Sequence, residues 1–409
     1  MKKSRWLIVF LTLCLVMLSV TAVFAETSYT AQPNDSLSLI ASRYGTNYLV
    51  LAAYNEIEPP YIIQIGQVIR IPDGLEAGAQ QPASAPQSAP AAAAPAPAAP
   101  VATPNFSGGF EYGGQTQSFA NKELMKSIGM NWVKFQHKWS PGDSPDAVAG
   151  RINDAHASGF KVLLSIPGAN TYPAPGGIDF GSYVEFLRGV AALGPDGIEV
   201  WNEMNIDFEW PAGEIDPASY VNNMLAPAYN AIKSVNPNIL VIGGAPSPTG
   251  FDNGTNAWAD NRYIAGMAAA GASRYMDCMG VHHNAGATSP NATSGHPGGS
   301  HYSWYFWPTL NLYYNTFGRK VCFTELGYVT PDGYGGISPH FGWAADNTID
   351  EHAQWLSEAV RLSSNSGKVR LLIIFNVDFT HYDPNGDPQA GYAIVRPDGG
   401  CPFCGAMGG

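Results

Sequence analysis

The sequence predicts an α/β protein: a (β/α)8 barrel preceded by a small α+β module. Three observations carry that expectation. Between residues 105 and 409, eight short apolar runs alternate with capped helical segments. Ahead of them lies a stretch made almost wholly of Ala, Pro, Gln and Ser. Ahead of that stretch, one short segment carries strand and helix signals of its own.

Composition narrows the classes of partner. The 409 residues carry 33 acidic and 21 basic side chains, a net charge of -12. Such a chain offers no basic surface to phosphate, so nucleic acid is not an expected partner. Apolar residues make up 45%, enough to fill a core, and aromatic residues 12%. Charged residues are only 13%, against the ~25% of ordinary globular chains.

Residues 1–25 read as a signal peptide. Lys2, Lys3 and Arg5 precede an apolar run from Trp6 to Val20, and Val23-Phe24-Ala25 supplies small residues at a cleavage position. The run is shorter than the ~20 residues a membrane span prefers, and no basic stop-transfer cluster follows it. The expectation is bacterial-type export, a secreted or cell-wall-associated product, and no membrane attachment after cleavage. Export permits disulfides. Cys278 and Cys322 fall in apolar strand-like runs and read as buried thiols, whereas Cys401-Pro-Phe-Cys404 can close a small loop.

Residues 26–74 form the small module. Tyr29-Thr30-Ala31 reads as a strand, and Asn34-Asp35-Ser36 caps a helix with Leu37, Ile40, Ala41 and Tyr44 at helical spacing. A second short helix fits Leu49 to Tyr54, and Val68 to Pro72 is a closing strand. This order, with Asn55, Gly66 and Ile71-Pro72, resembles the LysM carbohydrate-binding module. The resemblance implies binding of N-acetylglucosamine-containing glycans such as peptidoglycan or chitin. By that resemblance the sugar groove runs along Asp35, Ser36 and Leu37 and along Asn55, Tyr61 and Ile62. Residues 75–104 are then a semi-rigid Ala/Pro-rich linker, extended at ~3.1 Å per residue.

The expected barrel strands are Phe106–Glu111, Trp132–Gln136, Lys161–Ile166, Ile198–Trp201, Ile239–Gly243, Cys278–His282, Lys320–Thr324 and Leu371–Phe375. Helices between them open at Ser144-Pro145, Asp216-Pro217 and Asn347, the last ending near Gly367. An open doubly wound sheet competes, but it calls for a glycine-rich phosphate turn after the first strand, which is absent. In barrels of this kind chemistry sits at the carboxyl ends of the strands. There the fourth run continues into Trp201-Asn202-Glu203, and the seventh into Thr324-Glu325. Two glutamates facing one another across the mouth are what glycosidic cleavage needs: one proton donor and one ionised nucleophile.

The pair resembles the glycoside hydrolase clan A, whose retaining members place the acid/base in an Asn-Glu pair after strand four and the nucleophile after strand seven. Family 39-like and family 5-like bacterial enzymes are nearest in pattern. Carried over by position, the resemblance implies Glu203 as acid/base, Glu325 as nucleophile and Asn202 as donor to a sugar 2-hydroxyl. It also implies His282 or His283 as support for the nucleophile or for sugar hydroxyls. His137 and Lys134 on strand two are further candidates to reach the pocket. Trp139, Trp210, Trp304, Trp307 and Trp343 fall in segments after strands, where aromatic faces suit neutral sugar rings. Trp139, Trp304 and Trp343 are the substrate-binding choices among them, with Asn376 standing where many clan members floor the sugar subsite with Trp. Gly286–Ser300 reads as a lid. The remaining histidines show no metal-ligand spacing, so neither metal nor cofactor is expected. The reading is an exported retaining hydrolase of a polysaccharide; the alternatives are a non-catalytic wall-binding scaffold and a transglycosylase of the same clan.

Overall fold

The computed structural model describes residues 27–32, 40–41, 44, 51–52, 54–57, 63–64, 66–72, 109–169 and 177–408. The chain divides into two compact units, residues 1–87 and 88–409. The expected signal peptide and the linker lie outside the described residues. Among the described residues no helix is long and apolar enough to cross a membrane.

In the first unit, strand β1 (Thr27–Thr30) pairs antiparallel with β2 (Val68–Ile71), Thr27 opposite Ile71. Ile69 and Ile71 are buried with Ala31, Ile40 and Leu51. Asn55 corrects an expectation. Its side-chain amide donates to the carbonyls of Leu51 (2.7 Å) and Arg70 (2.8 Å), and its Oδ1 accepts from the Arg70 backbone N–H (2.6 Å). The side chain therefore braces β2 instead of facing a sugar groove. Asp35, Ser36, Leu37, Tyr61 and Ile62 lie outside the described residues.

The second unit is a closed, all-parallel eight-stranded barrel. Its strands are β3 (Glu111–Gln115), β4 (Trp132–Gln136), β5 (Lys161–Ile166), β6 (Gly197–Val200), β7 (Leu240–Gly243), β8 (Cys278–His283), β9 (Val321–Leu326) and β10 (Val369–Ile374), with β10 closing onto β3. Both faces of such strands are covered, so they read as apolar runs, and most of the expected positions match within a residue or two. The first does not. The strand begins at Glu111, not Phe106, because Gly113-Gly114 hides it as a turn. Those glycines are demanded by packing: a Cβ on Gly113 would lie 1.9 Å from the Trp132 carbonyl oxygen, and one on Gly114 would lie 2.4 Å from Val377 Cγ2.

An apolar cluster fills the barrel with Trp132, Leu163, Ile242, Cys278, Cys322 and Ile373. The two cysteines are not free thiols, as their apolar surroundings had implied. They form a disulfide with Cα atoms 5.8 Å apart, because neighbouring strands β8 and β9 bring them side by side in a pairing of Gly280 with Cys322. A second disulfide joins Cys401 and Cys404. The tail is helical from Pro402 to Met407, with Phe403 and Met407 buried.

Helix Ile349–Ser366 shows how locally determined the outer layer is. Thr348 Oγ1 accepts from the Glu351 N–H while the Glu351 carboxylate accepts from the Thr348 N–H, a capping box one residue after the expected start. Gly367, at φ 67°, ends it. Asp216 likewise accepts from the N–H groups of Ala218 and Ser219 ahead of Pro217.

Candidate active site

The carboxyl end of β6 is a strained turn. Trp201 (φ 72°) and Glu203 (φ 40°) both occupy left-handed backbone, at a cost of about 1–3 kcal/mol each. Hydrogen bonds hold it there. The Trp201 N–H donates to the Tyr183 hydroxyl (3.0 Å), the Trp201 indole N–H donates to the Glu209 carbonyl (2.8 Å), and the Glu203 N–H donates to the Ala245 carbonyl (2.9 Å). Asn205 fixes the far side, donating to the carbonyls of Ser247 (2.8 Å) and Trp258 (2.9 Å).

The end of β9 uses a different device. Val281 of β8 pairs with Phe323, but His282 pairs with Glu325, so Thr324 is an extra residue in the ladder. A bulge shifts the two-residue alternation and re-aims the side chain that follows. Glu325 thereby comes beside His282. The imidazole Nδ1 lies 3.0 Å from Glu203 Oε1 and 3.9 Å from Glu325 Oε2.

The two glutamates have unlike surroundings. Glu325 accepts from Lys134 Nζ (3.0 Å) and Asn284 Nδ2 (3.0 Å), and Lys134 also donates to the Thr324 carbonyl (3.1 Å). Burial alone would push the Glu325 carboxyl up. The charges of Lys134 and His282, with the hydrogen bonds from Lys134 and Asn284, outweigh it and hold the carboxyl below 4.5. Lys134 is fully buried; its second carboxylate is Glu199, 3.6 Å away and equally buried. Burial opposes the charge on His282, but Glu325 and Glu203 push the imidazole above its ordinary value. Glu203 is the more open of the pair, its side chain 24% exposed against 10% for Glu325.

Other candidates are sorted by contacts. His282 and His283 are successive strand residues, so they face opposite ways. His283 packs between the barrel and the helix Phe306–Phe317, against the rings of Phe306 (6.4 Å) and Tyr328 (6.0 Å), and burial lowers its imidazole to about 4. It is a neutral packing residue, not a sugar ligand. Trp139, only 2% exposed, packs edge-on against Tyr183 at 5.2 Å and offers no face to a ligand. Asn376 is also buried. It donates to the Gln389 carbonyl (2.9 Å) and accepts from the Phe379 N–H (2.9 Å), so its amide is spent bracing loops. His137 stacks on Phe186 at 5.6 Å and sits 3.9 Å from Asp143. Asn202 is buried, with its Nδ2 donating to Glu209 Oε1 (3.3 Å).

Trp304 and Trp343 do come together. Their rings lie 5.8 Å apart, both half-buried, with the His296 ring stacked on Trp304 at 4.5 Å. His296 Nε2 is 2.7 Å from the Ala285 carbonyl, which ties this aromatic group to the segment after β8. Trp210 is buried and Trp307 lies on a helix, so neither is a loop platform. Gly286–Ser300, expected as a lid, is pinned at several points. Asn347 donates to the Gly286 carbonyl (3.3 Å), Ser289 to Glu358 (2.7 Å), and the Tyr305 hydroxyl to the Gly299 carbonyl (2.9 Å).

Three site residues escaped the sequence reading. Asn284 stands two residues beyond His282, the spacing that returns a strand to the same face. Glu199 carried a signal too, as a lone carboxylate inside an apolar strand. Glu209 carried none. Among the described residues no cluster of metal-ligating side chains occurs.

The class defined by these features is a (β/α)8 barrel with a paired-glutamate centre at the carboxyl ends of its strands. Residues 29–72 match the LysM domain. No curated protein matches the chain in sequence. Similar solved structures include the GH53 catalytic domain of Ignisphaera aggregans, with 16% identity over 74% of this chain and 91% of that one, at a TM-score of 0.49. Another is the GH10 structure from Paenibacillus barcinonensis, with 11% identity over 74% and 94% and a TM-score of 0.49. The family 5 xyloglucanase of Paenibacillus pabuli has 16% identity over 73% and 97%, at 0.46. The barrel assignment itself rests on the closed strand order.

Proposed function

We propose that this chain is an exported retaining glycoside hydrolase acting on a polysaccharide, held by its LysM domain at a cell wall or other aminosugar glycan. One observation carries the reading: Glu203, after β6, and Glu325, at the end of β9, both face the His282 imidazole, and only Glu325 is also held by a buried lysine and an asparagine. That asymmetry divides the labour. Glu325, kept ionised, attacks the anomeric carbon, while Glu203 gives its proton to the departing oxygen and later takes one from water. His282 faces both carboxylates and is placed to follow the charge as it moves between them. Asn202 is the candidate contact for a sugar hydroxyl, and the Trp304 and Trp343 rings are candidate stacking faces for a sugar chain.

The test is substitution. Glu203→Gln and Glu325→Gln should each remove hydrolysis of an activated aryl glycoside by several orders of magnitude, with unchanged circular dichroism. Wild-type turnover by the Glu325→Gln enzyme would overturn the assignment.

A further inference from the structure

Glu325 is not the only carboxylate that Lys134 faces. The apolar layer inside the barrel includes Trp132 and Leu163, and a Cβ on Gly197 would point into it, 3.1 Å from Leu163 Cδ1 and 3.2 Å from Trp132 Cζ3. Two residues further along the same strands, and so on the same face, come Lys134, Ser165 and Glu199. Glu199 is thereby aimed into the barrel, where its Oε2 lies 3.6 Å from Lys134 Nζ with neither side chain exposed. An ammonium carries three N–H donors. Lys134 gives two of them to Glu325 Oε1 (3.0 Å) and the Thr324 carbonyl (3.1 Å), which leaves the third for Glu199. Neither Glu199 oxygen accepts a hydrogen bond among the described residues, so the ammonium is what its buried charge answers to.

We propose that Glu199 is a positioning residue for the glycosidase chemistry: it keeps the Lys134 ammonium paired while Glu325 has given up its charge to the sugar. In the first displacement a Glu325 oxygen bonds to the anomeric carbon, the bond from that carbon to the departing oxygen breaks, and the departing oxygen takes the Glu203 proton. Glu325 passes from carboxylate to neutral ester, and Glu203 from acid to carboxylate. The total charge is unchanged, but it has moved across the site. The new carboxylate has a cation beside it, since Glu203 Oε1 lies 3.0 Å from His282 Nδ1. Lys134, fully buried, keeps only Glu199, and closing their 3.6 Å gap to hydrogen-bond distance hands the ammonium from one carboxylate to the other. Hydrolysis of the ester by water restores the Glu325 carboxylate and draws the ammonium back. Without Glu199 the ester would stand beside an unpaired buried cation, and the first displacement would carry that penalty.

This inference rests on the glycosidase reading, and one arm of its test needs no turnover. Glu325→Gln gives position 325 the neutral side chain that it has in the glycosyl-enzyme. Lysine Cε NMR of the full chain reads the charge of the ammonium, with the Lys134 signal assigned by its absence in Lys134→Met. At about pH 7 the signal should remain that of a charged lysine in Glu325→Gln and become that of a neutral amine when Glu199→Gln is added, as for buried lysines without a partner. A neutral Lys134 in Glu325→Gln, or a charged one in the folded double variant, would overturn the proposal; if the double variant does not fold, the Glu325→Gln signal decides. The kinetic arm uses a dinitrophenyl glycoside, whose leaving group is good enough to make breakdown of the intermediate limit turnover. Glu199→Gln should lower kcat/KM by about 100-fold, the scale of a buried charge losing its partner, and lower kcat much less, so that KM rises. Glu199→Asp, which keeps the charge, should restore part of kcat/KM. Equal falls in kcat and kcat/KM with KM unchanged would mean a structural role only and would also overturn the proposal. A wild-type chain that turns over no glycoside, with the lysine signals as expected, would count against the glycosidase reading and leave the handover of Lys134 standing.

Discussion

Lys134→Met is the most informative single change to the barrel. The lysine Nζ lies 3.0 Å from Glu325 and 3.6 Å from Glu199, and neither Lys134 nor Glu199 is exposed. Methionine fills the space but leaves two buried carboxylates without their cation. Removing one partner of a buried ion pair costs about 3–5 kcal/mol. Urea denaturation of the barrel at pH 7 should show a loss of that size. The sign with pH follows from Glu325, whose carboxyl is held low in the folded chain. A depressed carboxyl contributes stability that is present above its unfolded value and is lost as pH falls through its folded value. The deficit of Lys134→Met should therefore be largest above pH ~4.5 and shrink in acid, where the orphaned carboxyls take up protons. Activity should report the same change. The acid limb of kcat/KM should move upward as the nucleophile loses the cation that holds its carboxyl low. A variant within about 1 kcal/mol of wild type, with its acid limb unmoved, would refute the idea that Lys134 keeps Glu325 ionised.

Further outcomes follow from other contacts. His282→Ala removes a charge-assisted bond of about 1.5–3 kcal/mol, so kcat/KM should fall roughly 10- to 150-fold, read by steady-state kinetics. Trp304→Ala and Trp343→Ala should raise KM for a polymer while leaving kcat on a small aryl glycoside near wild type; equal effects on both substrates would exclude a stacking role. Replacing Cys278 and Cys322 together by Ala releases a loop with sequence separation 44, and loop entropy puts the loss near 4 kcal/mol by denaturation. The pair Cys401 and Cys404, separated by 3, should matter far less.

How much of this was legible depends on how local each signal was. Parallel strands buried on both sides announce themselves as apolar runs, and Asn202-Glu203 and Thr324-Glu325 stand directly at their ends. The strand β3 was misplaced because its glycines serve Trp132 and Val377, contacts that no local pattern reveals. Sequence offered His282 and His283 together, and only the register of β8 against β9 decided which one faces the glutamates. The same register joined Cys278 to Cys322. Trp139 and Asn376 look like ligands for sugar because exposure is invisible in sequence; in the fold one is a core ring and the other a loop brace. Lys134 was half legible, since a lysine inside an apolar strand needs a counter-charge, but its partners sit on β6 and β9.

The central claim is that Glu325 attacks the sugar while Glu203 serves as acid and then base. Proton NMR of the first sugar released from an aryl glycoside, recorded before mutarotation, tests it most directly. Two successive displacements predict a product with the anomeric configuration of the substrate. A product of opposite configuration would mean a single displacement by water, and the role assigned to Glu325 would be contradicted.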